Sequence, residues 1–331
     1  MGKKITVKDL NPARIMTVDE LIHCFYDAGG FTAKKIADGV DILEEMINDN
    51  PCTRFLAFPA CICSTGTRGV ITELLKRNLF DVIITTAGTL DHDLARIWKD
   101  YYHGSFVADD TILYDQGINR LGNIFIPNEC YGTILEKKIQ PFLTHATKKQ
   151  SRWSTKELIW TFGEYIQHET KKEESIVYWS WKNKIPIYVP GITDGAFGSQ
   201  LWMYYQSNRD FTIDLFQDEQ DLSDLVFKSK KSGAFIIGGG ISKHHTIWWN
   251  QFKDGLDYAI YITTAVEYDG SLSGAQTREA ISWGKIKGDS DHLTIEGDAT
   301  ILMPLMICSL FERMKKKSKK IIAKKEASSL M

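Results

Sequence analysis

Short apolar runs alternate with segments of helical period over most of the chain. Each run has the length of a strand, and in the segments between the runs apolar residues recur every three or four positions. This alternation predicts an α/β fold with a parallel sheet that is covered by helices on both faces. The predicted strands are Arg54–Phe58, Asp81–Ala87, Asn123–Pro127, Ile185–Pro190, Ala234–Ile237, Tyr258–Thr263 and Leu293–Glu296. The predicted helices are Arg68–Asn78, Leu90–Lys99, Tyr131–His145, Lys156–His168, Ser175–Asn183, Thr212–Lys228, His244–Lys253 and Thr277–Ile286.

The beginning of the chain is helical without this alternation. Val18–Tyr26 is amphipathic and is stopped by Gly29-Gly30. A longer helix is predicted over Thr32–Asn48, and it ends there because a residue in front of Pro51 disfavours helical backbone. Since no internal repeat or Pro/Ser-rich linker divides the rest, we predict three parts: an N-terminal helical extension (residues 1–31), a single α/β domain (residues 32–314) and a lysine-rich tail (residues 315–331).

Composition and charge narrow the functional class. Of the 331 residues, 43% are apolar and 25% charged, as in ordinary globular proteins. The formal net charge is -2, so a nucleic-acid partner is not expected. The six cysteines show no C-x-x-C spacing and fit a reducing compartment. Neither a signal peptide nor an apolar stretch of membrane-spanning length is found, and we expect a cytoplasmic protein that does not bind membranes.

Lysines crowd the end of the chain. The pattern favours a solvated helix end, while a docking site for an acidic partner is the alternative. The run contains Lys315, Lys316, Lys317, Lys319, Lys320, Lys324 and Lys325.

Glycine and small polar residues follow nearly every predicted strand. Ligands of open parallel sheets bind outside the carboxyl ends of the strands, where glycine admits a ligand close to the backbone. Several such turns at one edge predict a nucleotide site, although the G-x-G-x-x-G fingerprint is absent. The turns are Ser64-Thr65-Gly66, Thr86-Ala87-Gly88, Thr193-Asp194-Gly195, Gly238-Gly239-Gly240, Thr264-Ala265 and Gly297-Asp298-Ala299.

Lys285 is the strongest candidate for chemistry. It ends a predicted helix beside Trp283, and a lysine that is desolvated near an aromatic ring becomes a nucleophile toward imines and carbonyls. The alternative is an ordinary exposed lysine at a helix end. His244 is equally compatible with catalysis and with packing. Cys61-x-Cys63 has no second pair at ligand spacing, so no metal site is predicted.

The segment Glu279–Ile286 resembles the active-site segment of deoxyhypusine synthases. The resemblance covers roughly Thr32 to Met314 and is strongest to the archaeal branch of that family. Further segments match in the family's order: Thr85–Gly88, Gly117–Asn123, Thr193–Gly195, Gly238–Gly240 with Lys243–His245, and Glu267–Ser271.

The resemblance implies a Rossmann-like, doubly wound fold, NAD as cofactor and a homotetramer with active sites at dimer interfaces. It also implies the reaction, in which the aminobutyl group of spermidine passes through an imine on an enzyme lysine to one lysine of the translation factor 5A precursor. Transfer to a free amine, as in homospermidine synthesis, is an alternative. A non-catalytic subunit that pairs with an active paralogue is another.

Position by position, the resemblance assigns Lys285 as the catalytic lysine. The substrate-binding positions are His244, Trp283, Glu279, Asp91, Gly270 and Ser271. The NAD positions are Ser64, Thr86, Ala87, Gly88, Asp194, Gly239, Thr264, Ala265, Asp298 and Ala299. Two acids that hold the far amine of the donor in the family are Ser199 and Leu272 here. Because a site without those acids discriminates less, we expect relaxed donor selectivity that extends to amines such as agmatine.

Overall fold

The computed structural model describes residues 4–329, with side chains through Lys317. The strands are β1 (Cys52–Phe58), β2 (Val82–Thr85), β3 (Tyr102–His103), β4 (Ile118–Leu121), β5 (Ile124–Pro127), β6 (Arg152–Trp153), β7 (Ile187–Tyr188), β8 (Thr212–Ile213), β9 (Lys231–Ile237), β10 (Leu256–Thr263) and β11 (Ile286–Glu296). The helices are α1 (Val18–Ala28), α2 (Phe31–Asn48), α3 (Thr67–Lys76), α4 (Ala87–Trp98), α5 (Asp110–Asp115), α6 (Gly132–Ala146), α7 (Thr155–Tyr165), α8 (Ile176–Asn183), α9 (Ala196–Ser207), α10 (Leu215–Lys228), α11 (Gly240–Asn250), α12 (Thr277–Ser282) and α13 (Ala299–Ser329).

A parallel sheet forms the centre of the molecule. Its six strands lie in the order β11-β10-β9-β1-β2-β7, and every neighbouring pair is parallel. Numbered along the chain within this sheet alone, the order is 3-2-1-4-5-6 from the β7 edge, which is the order of the doubly wound fold. The predicted fold class is therefore confirmed.

Alternate residues of β1 enter two separate hydrophobic cores. Leu56 and Phe58 pack with the apolar faces of α2, α3 and α4, whereas Phe55 and Ala57 pack with residues of α10, α11 and α12. All four side chains are fully buried. Because neither face is solvated here, the sequence from Phe55 to Phe58 is a continuous apolar run, which is the pattern that predicted a covered parallel sheet.

The prediction that Asn123–Pro127 belongs to the parallel sheet is wrong. Ile124–Pro127 pairs antiparallel with β4, and with β3 it completes a separate three-stranded sheet. The two strands are joined by Gly122-Asn123, and Gly122 has a left-handed φ of 62° that suits a tight turn. A four-residue apolar run looks the same in a hairpin and in a parallel sheet, so only this turn distinguishes them.

Several helix boundaries also differ from the sequence predictions. α10 starts at Leu215 with Asp214 as its cap, because Thr212–Ile213 pairs with β6. The helix predicted over Thr277–Ile286 stops at Ser282, and α9 and α13 were not predicted. α13 carries Pro304 near its start, which obscures its helical pattern. No helix among the described residues is long and apolar enough to cross a membrane.

A buried carboxylate ties the first helix to the last. Asp19 of α1 accepts hydrogen bonds from Ser309 (3.0 Å), Arg313 (2.7 Å) and Lys316 (2.7 Å). Burial opposes its charge, but the donors prevail and lower the pKa of Asp19 to about 2. Lys317 pairs with Glu44 of α2 at 2.6 Å. Lys316 and Lys317 are thus paired with the fold while their side chains remain 56% exposed, as expected of a solvated helix end. The side chains of Lys319, Lys320, Lys324 and Lys325 lie outside the described residues.

Asp19→Asn should lower the free energy of unfolding by about 3 kcal/mol at neutral pH, because it removes a buried partner of Arg313. A carboxylate with a depressed pKa stabilises the fold above its unfolded value and loses that effect as the pH falls through its folded value. The difference between the two proteins should therefore shrink between about pH 4 and about pH 2. Urea unfolding measures it, with the exposed Asp9→Asn as control; an equal loss in both variants would refute the assignment.

Candidate active site

A large cleft lies at the carboxyl ends of β1, β9, β10 and β11. Its volume is about 940 Å³, within the range of roughly 300–1,000 Å³ that small-molecule sites occupy. Ser64, Thr264, Asp298 and Ala299, all predicted to contact NAD, line it. The small antiparallel sheet supplies part of the opposite wall. The cleft is at the point where the strand order reverses, the usual ligand position of this fold.

The start of α3 faces this cleft. Its N-cap residue Gly66 gives no side-chain cap, and space is open around its Cα. Arg96 also lines the cleft and donates to the carbonyl oxygens of Cys63 (2.7 Å) and Thr65 (2.6 Å). A helix N-terminus beside a guanidinium is a favourable position for phosphate groups. Sequence reasoning did not identify Arg96, because nothing in the linear pattern connects it to this loop.

The remaining predicted NAD positions lie beside the cleft rather than in its wall. Thr86 Oγ1 accepts a hydrogen bond from the amide of Ala60 at 3.1 Å. Ala87 and Gly88 pack against Gly195, the neighbour of Asp194. Gly239 packs so closely on Ser273 that a Cβ would fall 2.2 Å from its hydroxyl oxygen. Ala265 follows Thr264 without lining the cleft.

Asp91 caps a helix in the interior. Its carboxylate is fully buried and accepts hydrogen bonds from Tyr131 Oη (2.7 Å) and from the amides of Ala196 (2.9 Å) and Phe197 (2.6 Å) at the start of α9. Burial raises the pKa of Asp91, while these three donors lower it, and burial dominates. The structure does not bring Asp91 to Lys285, and its role in substrate binding stays a prediction.

Lys285 lies in a tight connection between α12 and β11. Gly284 adopts a left-handed φ of 65°, which turns the chain out of the helix. The Lys285 side chain is only 7% exposed, with its Nζ 5.2 Å from the centre of the Trp283 ring and 5.7 Å from that of Trp248. His244 stacks on Trp248 with ring centres 5.6 Å apart. Three predicted residues and Trp248 therefore form one cluster.

The backbone of Lys285 lies at the end of β10 that is opposite the cleft. The carbonyl of Lys285 accepts a hydrogen bond from the amide of Leu256, the first residue of β10. Thr263 and Thr264, at the other end of that strand, line the cleft. The seven residue steps of ~3.3 Å from Leu256 to Thr263 separate the two ends of this strand by about 23 Å.

A buried lysine anchors the loop between these two places. Lys243 is 1% exposed, and its Nζ donates to the carbonyl oxygens of Leu272 (2.8 Å) and Ala275 (2.6 Å). Burial lowers the pKa of Lys243 to about 8, against the opposing charge of Glu279. Gly270 and Ser271 are held in this loop, residues 267–275, and Glu279 follows it as an exposed residue of α12.

A family model for deoxyhypusine synthase matches residues 20–310. The chain belongs to the deoxyhypusine synthase family. It is 57% identical over 304 residues to the "Probable deoxyhypusine synthase" of Picrophilus torridus, covering 92% of this chain and 96% of that protein. It is 53% identical over 301 residues to the protein of the same name from Thermoplasma acidophilum, covering 91% and 96%. The chain is therefore a transferase of the deoxyhypusine synthase kind.

A solved structure shows the same fold. This structure, from Entamoeba histolytica, carries a provisional deoxyhypusine synthase name and superposes with a TM-score of 0.65 at 19% identity. The match covers 92% of this chain and 97% of that one. At this identity the likeness extends to the fold alone, and it agrees with the doubly wound sheet described above.

Besides Arg96, two further residues of this deoxyhypusine synthase family member were missed by sequence reasoning. Trp248 lies one helical turn after His244, and that four-residue spacing was a usable signal. Lys243 precedes His244 and was noted only as part of a matching segment. Its burial could not be read from the sequence, because lysine is rarely found inside a protein.

Lys243→Met should release the loop of residues 267–275. The loss of two charge-assisted hydrogen bonds should raise amide exchange there by about tenfold or more, with β10 unchanged. Hydrogen exchange read by mass spectrometry measures this. Lys253→Met is the matched control, since Lys253 also donates to two carbonyl oxygens, those of Phe227 and Ser229, away from the site. Unaltered exchange in the loop of Lys243→Met would contradict the anchoring role.

Proposed function

We propose that this enzyme transfers the aminobutyl group of spermidine, or the corresponding group of a related amine, to one lysine of the translation factor 5A precursor. The group travels as an imine on Lys285, with NAD as the cofactor. The observation that carries the proposal is the position of Lys285, which is almost fully buried yet held beside two exposed indole rings. Unlike the buried Lys243, the Lys285 ammonium position has no hydrogen-bond acceptor among the described residues to offset its desolvation, such as a structural lysine has.

The chemistry required of Lys285 is imine exchange. Its neutral Nζ forms a bond to the imine carbon of the oxidised donor, and the bond from that carbon to the donor nitrogen then breaks, releasing diaminopropane when the donor is spermidine. The acceptor lysine displaces Lys285 in the same way. Burial lowers the pKa of His244, and so does a positive charge on Lys285, which favours a neutral ring that can accept a proton from these amines.

The cleft fits NAD. Its volume, the start of α3 beside the Arg96 guanidinium and the exposed carboxylate of Asp298 provide space, positive charge and an acceptor for a ribose diol. Bound NAD would supply the acceptor, and later the donor, of the hydride. We assign Ser64, Thr264, Asp298 and Ala299 to direct contact, and we place the remaining contacts at the adjoining strand ends: Thr86, Ala87, Gly88, Asp194, Gly239 and Ala265.

The amine is proposed to lie against His244, Trp283 and Glu279, with Gly270 and Ser271 contributing backbone. Ser199 and Leu272 carry no charge that could bind the distant ammonium of the donor. The Ser199 hydroxyl donates to the Gly195 carbonyl, and the Leu272 carbonyl accepts a hydrogen bond from Lys243. This agrees with a donor that is spermidine or a related amine. The buried Lys285 supports an active enzyme over a non-catalytic subunit, and nothing in the site favours a free amine as acceptor.

Two copies of the chain are proposed to complete each site. The cleft and the Lys285 backbone lie at opposite ends of β10, and Lys285 is not among the residues that line the cleft. The surface near Lys285 exposes Trp283 by 67%, Trp248 by 42% and Phe252 by 49%. Exposed aromatic groups of this size are typical of surfaces that another chain covers. A homotetramer with sites at dimer interfaces accounts for both observations.

Complementation between two inactive variants tests this arrangement. Lys285→Ala should lose transfer while retaining NAD binding, and Asp298→Ala should retain Lys285 while binding NAD weakly. Coexpressed in mixed assemblies, they should restore roughly a quarter of the sites, because one chain supplies the intact cleft and the other the lysine. The measurement is aminobutyl transfer to the factor 5A precursor.

Lys228→Ala, which removes a side chain that is 80% exposed, is the control that should keep full activity. No recovery on mixing, with both variants folded and assembled, would place the whole site within one chain. Undiminished transfer by Lys285→Ala alone would contradict the proposed function itself.

A further inference from the structure

Trp248 occupies a position that the family resemblance does not assign to the site. It lies on α11, one turn after His244, and its ring is stacked on the His244 ring at an interplanar angle of 26°. The same ring also faces Lys285, whose Nζ lies 5.7 Å from the ring centre. Trp283 lies 5.2 Å from the same nitrogen. Two indole rings thus approach the nitrogen on which chemistry is proposed.

Lys285 makes no ion pair among the described residues. The indole rings of Trp248 and Trp283 lie over its Nζ. Both distances are within the roughly 6 Å over which a ring attracts a cation. A positive charge that forms on Nζ is therefore stabilised here by aromatic faces rather than by a carboxylate.

We infer that Trp248 is a further positioning and binding residue of the reaction site, where with Trp283 it stabilises the iminium cation on Lys285. The inference rests on the proposed covalent role of Lys285. When the neutral amine condenses with an aldehyde, a carbon–nitrogen bond forms, one proton is taken up and water leaves, so that the nitrogen becomes a cation. An imine donor gives the same cation and releases an amine instead of water.

The ligand that such a site would bind is an aldehyde or an imine, and its carbonyl or imine carbon is the atom that bonds to Nζ. The aromatic pair acts on the charge at Nζ and not on the distant end of the ligand. It therefore favours the covalent adduct of any amine-derived chain, which fits a site that lacks acids at Ser199 and Leu272. Selectivity between donors would then arise elsewhere in the pocket.

Butanal tests the inference without NAD, spermidine or the protein acceptor. It is a neutral chain, so the cation on Nζ is the only charge formed. The full-length protein is incubated with butanal over a range of concentrations, the iminium is reduced with cyanoborohydride, and butylation of Lys285 is read by peptide mass spectrometry. Trp248→Ala should weaken adduct formation by about 3- to 10-fold.

Two more variants separate the aromatic face from simple packing. Trp248→Phe should retain most of the adduct, whereas Trp248→Leu, which keeps apolar bulk without a ring, should lose about 3-fold or more relative to Phe. Phe227→Ala, which removes an aromatic side chain that is 55% exposed on α10, should match the wild type. Equal adduct formation by the Phe and Leu variants would overturn the inference, even if the Ala variant fails to fold. If butanal fails to label Lys285 in the wild type, the covalent role of Lys285 fails instead.

Discussion

Burial of both faces of the parallel sheet is the constraint on which the rest of the structure depends. Phe55 and Ala57 of β1 enter one core while Leu56 and Phe58 enter the other, so none of these four side chains can face a ligand. Ligands must meet the chain where strands end and helices begin. This accounts for the cleft at the reversal of strand order, and for the small residues that line it.

The same constraint places Lys285 at a distance. α11 and α12 cover the sheet between its two ends, and the lysine appears only where α12 gives way to β11. It is held there by backbone hydrogen bonds to Ala280 and Leu256. The loop anchored by Lys243 spans the distance to the cofactor side. In the proposed function a second chain brings its cleft to Lys285, and this connects the fold to the proposed assembly.

Sequence patterns identified the elements that repeat a simple rule and missed those that depend on distant contacts. The alternation of strands and helices was sufficient for the doubly wound sheet, and the small residues at strand ends were sufficient for the cleft. The hairpin at Ile124–Pro127 was misassigned because an apolar run does not encode its partner. Asp91 lies in the interior because it accepts a hydrogen bond from Ala196 at the start of α9, which is 105 residues later in the chain. The ion pairs that hold Lys316 and Lys317 depend on helices near the other end of the chain.

The central claim is that Lys285 carries the transferred group. It is tested most directly with NAD, spermidine labelled in its aminobutyl part, and borohydride, in the absence of the protein acceptor. Reduction fixes any imine as a stable amine, and peptide mapping locates the label. The account predicts label on the peptide that contains Lys285, dependent on NAD and removed when the factor 5A precursor is added before borohydride. Label on another lysine, or label that persists after the precursor is added, would contradict it.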